Sequence, residues 1–204
     1  MRGVNSYTGM GFRPFRDALC LHYDGSADAC GYARLFAPGP AGEPPLADLM
    51  KLDTVVVQRT VVDVTAPPPG WSAADDGEAV VLHRRGRTTY PGARLAWAET
   101  GIGVSAASSS GLHRDTVRVR TTGPGGRVVF AMLAWPGYRA TLDGRPVPVG
   151  PGDAGLLTVT LPPGASGTLD VRYRPPGLPL GLAGVLLALV GAVVVSRRGY
   201  ARVP

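Results

Sequence analysis

Val128–Trp135 reads VVFAMLAW, an uninterrupted apolar run of β-branched, aromatic and long aliphatic residues. Such a run is typical of a strand that is buried on both faces. Gly123–Gly126, GPGG, turns the chain just before this run, and Pro136 and Gly137 interrupt it just afterwards. We therefore expect Val128–Trp135 to form the central strand of the core.

The segments on either side of this run alternate between apolar and polar residues. Thr116–Thr121, TVRVRT, precedes it, and Leu156–Leu161 and Thr168–Tyr173 follow it. A period of two predicts antiparallel strands with one buried face. Ala140–Val147 contains the pair Asp-Gly, which supplies the positive φ angles of a tight hairpin turn. Short strands separated by turns predict a mainly β chain, an antiparallel β-sandwich like a carbohydrate-binding module.

Nearer the N-terminus the strand pattern is weaker. Ala79–Leu82, Ala93–Ala98 and Gly103–Ala107 predict short strands, and Ser108–Gly111 predicts a polar loop. Residues 1–52 predict irregular structure apart from one short helix at Leu46–Leu52.

The first 66 residues as a whole predict a small irregular α/β segment. Pro38–Pro45, PGPAGEPP, predicts a loop, and Thr54–Val64 predicts one or two strands with Val55–Val57 buried on both faces. Ala66–Gly70, APPPG, is a rigid break. We therefore divide the chain into an α/β segment at 1–66, a sandwich domain at 67–176, an apolar helix at 177–196 and a tail at 197–204.

Gly177–Val195, GLPLGLAGVLLALVGAVVV, contains no charged residue. At ~1.5 Å per residue it forms a helix of roughly 28 Å, close to the hydrocarbon thickness of a bilayer. The sequence therefore predicts a transmembrane helix and a lipid bilayer as a partner. A buried or interfacial hairpin is the alternative, which Pro179 and the glycines of this segment favour slightly.

Arginines flank the apolar segment on both sides. Two precede it and three follow it, which favours a cytoplasmic C-terminus and a β-domain outside the plasma membrane; they are Arg172, Arg174, Arg197, Arg198 and Arg202. Residues 1–15 do not resemble a signal peptide. We therefore expect Met1 not to be the natural beginning of the protein; the alternative is a tail-anchored protein with a cytoplasmic domain. The arginines form no basic stripe, which argues against a nucleic-acid partner.

Cys20 and Cys30 are the two cysteines of the chain. A disulfide between them closes a short loop and indicates an oxidising compartment. Two free buried thiols are one alternative. A metal site that includes His22 is another, although no fourth ligand is evident. We predict the disulfide and no metal.

No catalytic or cofactor motif is present. The nucleophile elbow, the zinc motif H-E-x-x-H and the phosphate-binding Walker loop are all missing. His22, His83 and His113 are isolated from other candidate catalytic residues, which favours surface positions. The sequence therefore predicts no catalytic residue and no cofactor in this chain.

Three segments resemble the C-terminal end of YfhO-type bacterial membrane proteins. They are Trp135–Val147, WPGYRATLDGRPV; Leu161–Gly164, LPPG; and Val171–Gly177, VRYRPPG, and the apolar helix follows them. The family pattern is a PGW-x-A-x-x-D-G hairpin, an LPAG turn and an F-x-Y-x-P exit. Tyr138 stands here where the family has Trp, and Pro163 replaces a small residue. Leu46–Val57 is similar to the helix-then-strand segment of the family.

The resemblance implies a non-catalytic extracytoplasmic domain of a multi-spanning membrane glycosyltransferase that uses a lipid-linked sugar. The catalytic carboxylate of such proteins lies on an early loop between membrane helices that this chain does not contain. The resemblance therefore implies two partners for this chain, the membrane-spanning remainder of the larger protein and a glycan. Trp135, Tyr138 and Trp71 are then candidates for a sugar-stacking surface. Core or hairpin positions are the alternative for these aromatics. A free-standing membrane-anchored binding or structural module of the cell envelope is the rival function.

Overall fold

A computed structural model of the chain describes residues 12–22, 26–111 and 114–200, without the side chains of 41, 179, 180, 182 and 194–200. This part of the chain is mainly β, with three antiparallel sheets and few helices. The helices are α1 (Arg13–Ala18), α2 (Ala29–Phe36), α3 (Leu46–Leu49) and α4 (Leu178–Tyr200), with short 3₁₀ turns at Pro40–Gly42 and Asp153–Gly155.

The strands are joined into sheets of three, four and five strands. Their bounds are β1 (Thr54–Gln58), β2 (Trp71–Asp76), β3 (Ala79–Arg84), β4 (Leu95–Ala98), β5 (Ile102–Ser110), β6 (Arg114–Thr121), β7 (Gly126–Leu133), β8 (Tyr138–Leu142), β9 (Arg145–Val147), β10 (Val149–Pro151), β11 (Leu156–Leu161) and β12 (Ser166–Tyr173). The strand orders are β1-β3-β2, β10-β11-β7-β4 and β5-β6-β12-β8-β9.

The apolar run that the sequence assigns to the centre of the core forms β7, an interior strand of the four-stranded sheet. Its side chains alternate between two hydrophobic cores. Val128 and Phe130 pack into the core shared with the five-stranded sheet, whereas Val129 and Ala131 pack into the core on the other face. The run is uniformly apolar because both faces of the sheet are covered.

The four-stranded and five-stranded sheets enclose the first core as a sandwich. Leu157 and Phe130 come from one sheet and Leu169 from the other, and all three are fully buried. Strand β6 shows the predicted alternation, with Val117 and Val119 buried. The prediction of a mainly β chain with antiparallel sheets is therefore confirmed.

The second core lies on the opposite face of the four-stranded sheet. The N-terminal helices and the three-stranded sheet pack there, and Leu49, Leu82 and Leu156 are among its buried residues. Strand β1 precedes the break at Ala66–Gly70 and pairs with β3 after it. That break is therefore a loop inside one sheet.

Two strand assignments in this region were wrong. Val56 is 63% exposed whereas Val57 beside it is buried, so β1 has one buried face and Val55–Val57 is not buried on both faces. Ser108–Gly111 was expected to be a loop, but β5 continues to Ser110 and pairs with β6. Polar residues can extend a strand when a neighbouring strand supplies the backbone partners.

The expectation of irregular structure before residue 52 also missed two helices, α1 and α2. Asp28 caps the N-terminus of α2: its carboxylate accepts hydrogen bonds from the backbone N–H groups of Cys30 at 2.8 Å and Gly31 at 3.2 Å. This cap is a local signal that the glycine-rich and proline-rich surroundings obscured.

The hairpin predicted at Ala140–Val147 forms between β8 and β9. Asp143 and Gly144 adopt φ angles of 46° and 81°, as a primed two-residue turn requires. The Asp143 carboxylate also accepts a hydrogen bond from the backbone N–H of Thr168 at 2.8 Å, which ties this turn to β12.

The chain ends in α4, which has 23 residues and whose side chains are described without a gap over 183–193. Large aliphatic side chains in this stretch are exposed, among them Leu187 at 73% and Leu186 at 63%. Within the part of the chain that the structure describes, no helix satisfies the length and apolarity that a membrane crossing demands. The transmembrane helix therefore stays a prediction.

Candidate functional site

Trp71 is the first of the three aromatics that the sequence analysis proposed for sugar stacking. It is only 3% exposed. The guanidinium carbon of Arg84 lies 4.9 Å from its ring centroid, and the Phe36 ring packs against it in a T-shaped arrangement with centroids 5.4 Å apart. A ring enclosed in this way has no face for a ligand, so the assignment of Trp71 was wrong.

Trp135 and Tyr138 lie near the point where the chain leaves the sandwich for α4. Trp135 is 36% exposed and contacts Phe12, with ring centroids 4.9 Å apart. Tyr138 is half-buried against Tyr173 at 4.9 Å, and burial raises the pKa of the Tyr138 hydroxyl. Next to them, the backbone N–H of Arg174 donates to the Gly137 carbonyl at 2.9 Å. These aromatics therefore lie where the chain leaves the sandwich for α4.

Cys20 and Cys30 are joined in a disulfide, with their Cα atoms 6.0 Å apart, as the sequence analysis predicted. Asp28 lies close to both sulfur atoms. Bonded sulfurs cannot act as thiolate ligands, so this group offers no thiolate to a metal while the disulfide is intact. His22 is exposed and lies 3.6 Å from Asp28.

His83 is also exposed, whereas His113 lies outside the described residues. Both described histidines are therefore surface residues, as expected.

A polar groove containing the third tryptophan, Trp97, opens between α3, the loop before it, and the segment from β3 to β4. We call it the Trp97 groove; it is lined by Pro44, Asp48, Arg84, Arg87, Thr88, Thr89 and Trp97. Its residues come from segments that are far apart in the chain.

Arg84 lines this groove, and most of the hydrogen-bond donors of its guanidinium group already have partners. Its guanidinium pairs with the Asp48 carboxylate and donates to the backbone carbonyls of Leu52 at 2.7 Å and Ala47 at 2.9 Å. The side chain is only 12% exposed. Arg84 therefore joins β3 to α3 and holds one Asp48 oxygen in place.

Lys51 fixes the backbone that leads from the groove into β4. Its ammonium group donates to the carbonyls of Tyr90 at 2.7 Å, Ala93 at 2.6 Å and Leu95 at 3.1 Å. Burial lowers the pKa of this lysine. Three carbonyl acceptors compensate the Lys51 ammonium group for its lost hydration. These bonds anchor the loop that carries Thr88 and Thr89 at the end where it enters β4.

Several groups in the Trp97 groove are free to bind a ligand. The side chains of Arg87, Thr88 and Thr89 form no hydrogen bond or ion pair with another described residue. The indole N–H of Trp97 also forms no hydrogen bond with another described residue. Among those residues, the one buried side-chain atom without a hydrogen bond is Glu43 Oε1, so the indole N–H is reached by solvent. The groove therefore combines an aromatic ring with unpaired donors and hydroxyl groups.

Behind Trp97, Arg127 connects the groove to a buried carboxylate. Its guanidinium carbon lies 5.9 Å from the Trp97 ring centroid, and its Nη1 lies 2.8 Å from Glu43 Oε1. Glu43 is 4% exposed, and burial raises its pKa more than Arg127 lowers it. The charge pair supports the loop at Pro44 from inside.

Sequence reasoning missed Trp97 because a β-bulge turns it. Simple alternation would place Leu95 and Trp97 on the same face, but the pairing of β4 with β7 shifts register between them. Leu95 therefore enters the sandwich core, and Trp97 joins Ala96 on the opposite side. A bulge of this kind leaves no signal in the residue pattern.

Comparison with protein-family models, with curated proteins and with solved structures finds no match to this chain.

Proposed function

We propose that this chain is a non-catalytic, extracytoplasmic β-domain that α4 holds on the plasma membrane. It would form the C-terminal part of a larger YfhO-type, glycosyltransferase-like membrane protein, and it would contact the acceptor glycan through the Trp97 groove. The exposed aliphatic surface of α4 is the observation that carries this proposal.

The exposed side chains of α4 surround the helix. Val185, Leu186 and Leu187 are consecutive and more than half exposed, at 57%, 63% and 73%. At ~100° per residue these three positions alone cover most of the circumference. A helix that is apolar all round requires a protein core or lipid. Since the described side chains are not buried on the β-domain, lipid is the environment that suits them best.

The disulfide supports a location outside the cytoplasm. Disulfides persist in oxidising compartments and are rare in the cytosol. With the β-domain outside, the three arginines that follow the apolar run would lie in the cytoplasm and the two that precede it outside, an orientation that the positive-inside rule favours by one charge.

The Trp97 groove supports a glycan as the ligand. A sugar ring presents C–H groups that pack on the negative face of an indole ring. Its hydroxyl groups both donate and accept hydrogen bonds, and Thr88, Thr89 and Arg87 provide partners of both kinds. We therefore propose Trp97 in place of Trp71 as a sugar-stacking residue.

Fractionation of cells that express the full chain tests the membrane assignment. We expect the chain to remain in the pellet after an alkaline carbonate wash. The variant L187R/V190R should move to the supernatant, because charge at the bilayer centre is costly. The control Q58R/T60R adds the same charge on the β-domain and should stay in the pellet. Recovery of the unmodified chain in the supernatant would refute the proposal.

Thiol labelling in the same cells tests the compartment. An impermeant maleimide should label Cys20 and Cys30 in intact cells only after reduction. Free thiols that react only after lysis would place the domain in the cytoplasm and contradict this assignment.

A glycan array probed with the detergent-solubilised full chain tests the groove. We expect W97A to lower binding at least about tenfold, which corresponds to loss of one stacking contact. R87A, at an exposed position, should also weaken binding without affecting the fold. The control Q58A, at an exposed position of β1 that does not line the groove, should bind like the parent. Equal binding by W97A and the parent would exclude the groove, whatever the result of fractionation.

A further inference from the structure

Three arginines stand side by side on the outer face of the five-stranded sheet. Arg172 of β12 lies directly opposite Arg114 of β6 and Arg139 of β8. All three residues are exposed, and we call them the arginine row. Like charges directly opposite each other on neighbouring strands destabilise a sheet, so the row acts against the stability of the isolated domain.

One carboxylate compensates for part of this charge. Asp170 accepts hydrogen bonds from Arg172 Nε at 2.7 Å and from Arg114 Nε at 3.0 Å. These arginines, Arg172 foremost, lower the pKa of Asp170 to about 2, so it is ionised at neutral pH. Arg139 forms no hydrogen bond or ion pair with another described residue. The row therefore keeps an excess of positive charge.

The row lies at the end of the sheet from which the chain leaves for α4. Arg172 is six positions before Leu178, the first residue of α4, and such a connection spans at most about 20 Å. On the opposite side of the same strands, Tyr138 and Tyr173 face each other as a register pair. Tyrosine and arginine near the start of an apolar helix are typical of a membrane–water interface.

Two other arginines on the same face lie farther from α4. Arg118 and Arg120 are opposite Thr168 and Ser166 of β12, which places them roughly 13 and 20 Å beyond Arg172 at ~3.3 Å per residue. Electrostatic attraction between exposed charges decays over about 8 Å at physiological ionic strength. A charged surface at the α4 end would therefore attract the row much more strongly than Arg118 and Arg120.

We infer that the arginine row, together with the exposed Arg174, binds the phosphate groups of anionic lipids around α4 and so holds the β-domain against the bilayer. Guanidinium groups match phosphate oxygens through paired hydrogen bonds. Each arginine close to an anionic leaflet strengthens the electrostatic attraction of the protein to the membrane, and added salt weakens this attraction. This inference rests on the proposed function, because it requires α4 to lie in lipid.

The full chain in lipid nanodiscs provides the test. The discs contain phosphatidylcholine alone or mixed with phosphatidylglycerol, plus a lipid with a spin label on its headgroup. Nuclear magnetic resonance then measures paramagnetic broadening of the backbone amide signals of β8 and β12. We compare the parent with R139Q/R174Q and with the control R118Q/R120Q; each variant removes two charges, and none of these four side chains is bonded to another described residue.

We expect broadening near Arg139 and Arg172 that increases with phosphatidylglycerol, decreases with added salt, and falls at least twofold in R139Q/R174Q but not in R118Q/R120Q. Equal broadening in both lipid mixtures, or equal loss in both variants, would overturn the inference. The inference would also be overturned if the amide signals near the row responded to polygalacturonate but not to phosphatidylglycerol, since the row would then bind an acidic polymer. A chain that fails to enter the discs would instead refute the proposed function.

Discussion

Asp115 and Glu43 are both buried carboxylates, but their partners differ. Asp115 accepts hydrogen bonds from Arg94 Nε at 3.0 and 3.1 Å and from the Ser109 hydroxyl. Glu43 has Arg127 Nη1 at 2.8 Å, yet the geometry leaves Glu43 Oε1 without a hydrogen bond. Burial raises the pKa of Glu43, and Arg127 opposes this shift only in part. The Glu43 carboxylate behind the Trp97 groove therefore relies on its ion pair with Arg127.

Replacing Arg127 with Met should destabilise the protein by about 2 kcal/mol at pH 7, because a buried charge loses its partner. The pKa of Glu43 in the folded state lies above its ordinary value of 4.5, so the folded protein binds this proton more tightly than the unfolded chain. Stability therefore falls as the pH rises through the interval between the two values. Urea unfolding at pH 5 and pH 7 should show that R127M regains stability on acidification.

The matched variant for this experiment is E43Q/R127M. A neutral amide has no charge to bury, so the double variant should be more stable than R127M at pH 7 and should lack its pH dependence. Identical stability of R127M and the parent at both pH values would show that the pair is unimportant.

At the scale of elements, α2 shows how a short helix is held in an otherwise irregular segment. Asp28 caps its N-terminus, and the disulfide joins its second residue, Cys30, to Cys20 after α1. Gly31 is required because a Cβ atom there would lie 2.5 Å from the Leu19 carbonyl oxygen. The cap, the crosslink and the close approach together position α2 against the second core.

Substitution D28A should lower the free energy of unfolding by about 1 kcal/mol, since it removes the cap, whereas D28N should cost little because asparagine caps equally well. Urea unfolding under non-reducing conditions measures both. An equal loss in D28A and D28N would argue that the charge of Asp28, rather than the cap, matters.

The whole molecule is organised by its four-stranded sheet, which is shared by both cores. Phe130 belongs to one core and Val129 to the other, although they are neighbours on β7. Arg84 links β3 to α3, and Lys51, just after α3, donates to the Leu95 carbonyl of β4. A shared strand makes it difficult for either core to unfold alone, so we expect the two cores to behave as one cooperative unit.

Leu82 is fully buried in the second core, and L82A should cost about 2–5 kcal/mol. Hydrogen exchange should then show lower protection in β6 and β12 as well as in β1 and β3, because the loss propagates through β7. A solvent-exposed counterpart, V56A on β1, should change protection little. Lower protection confined to β1, β2 and β3 would show that the cores unfold independently.

The sequence by itself determined most strands of the sandwich and the hairpin at Asp143 and Gly144, but not β10 or the end of β5. Side-chain alternation and turn chemistry are local properties, so β6, β7, β11 and β12 could be recognised from neighbouring residues. The Cys20–Cys30 pair was likewise evident, since the chain has two cysteines.

Only the tertiary structure decided which aromatic residues are available for binding. Trp71 is enclosed by Arg84 and Phe36, which are distant in the chain, and a bulge turns Trp97 into the groove. The alignment of Arg114, Arg172 and Arg139 depends on the strand order β6-β12-β8. Burial, bulges and strand order arise from contacts between distant segments, and local residue patterns do not encode which segments meet.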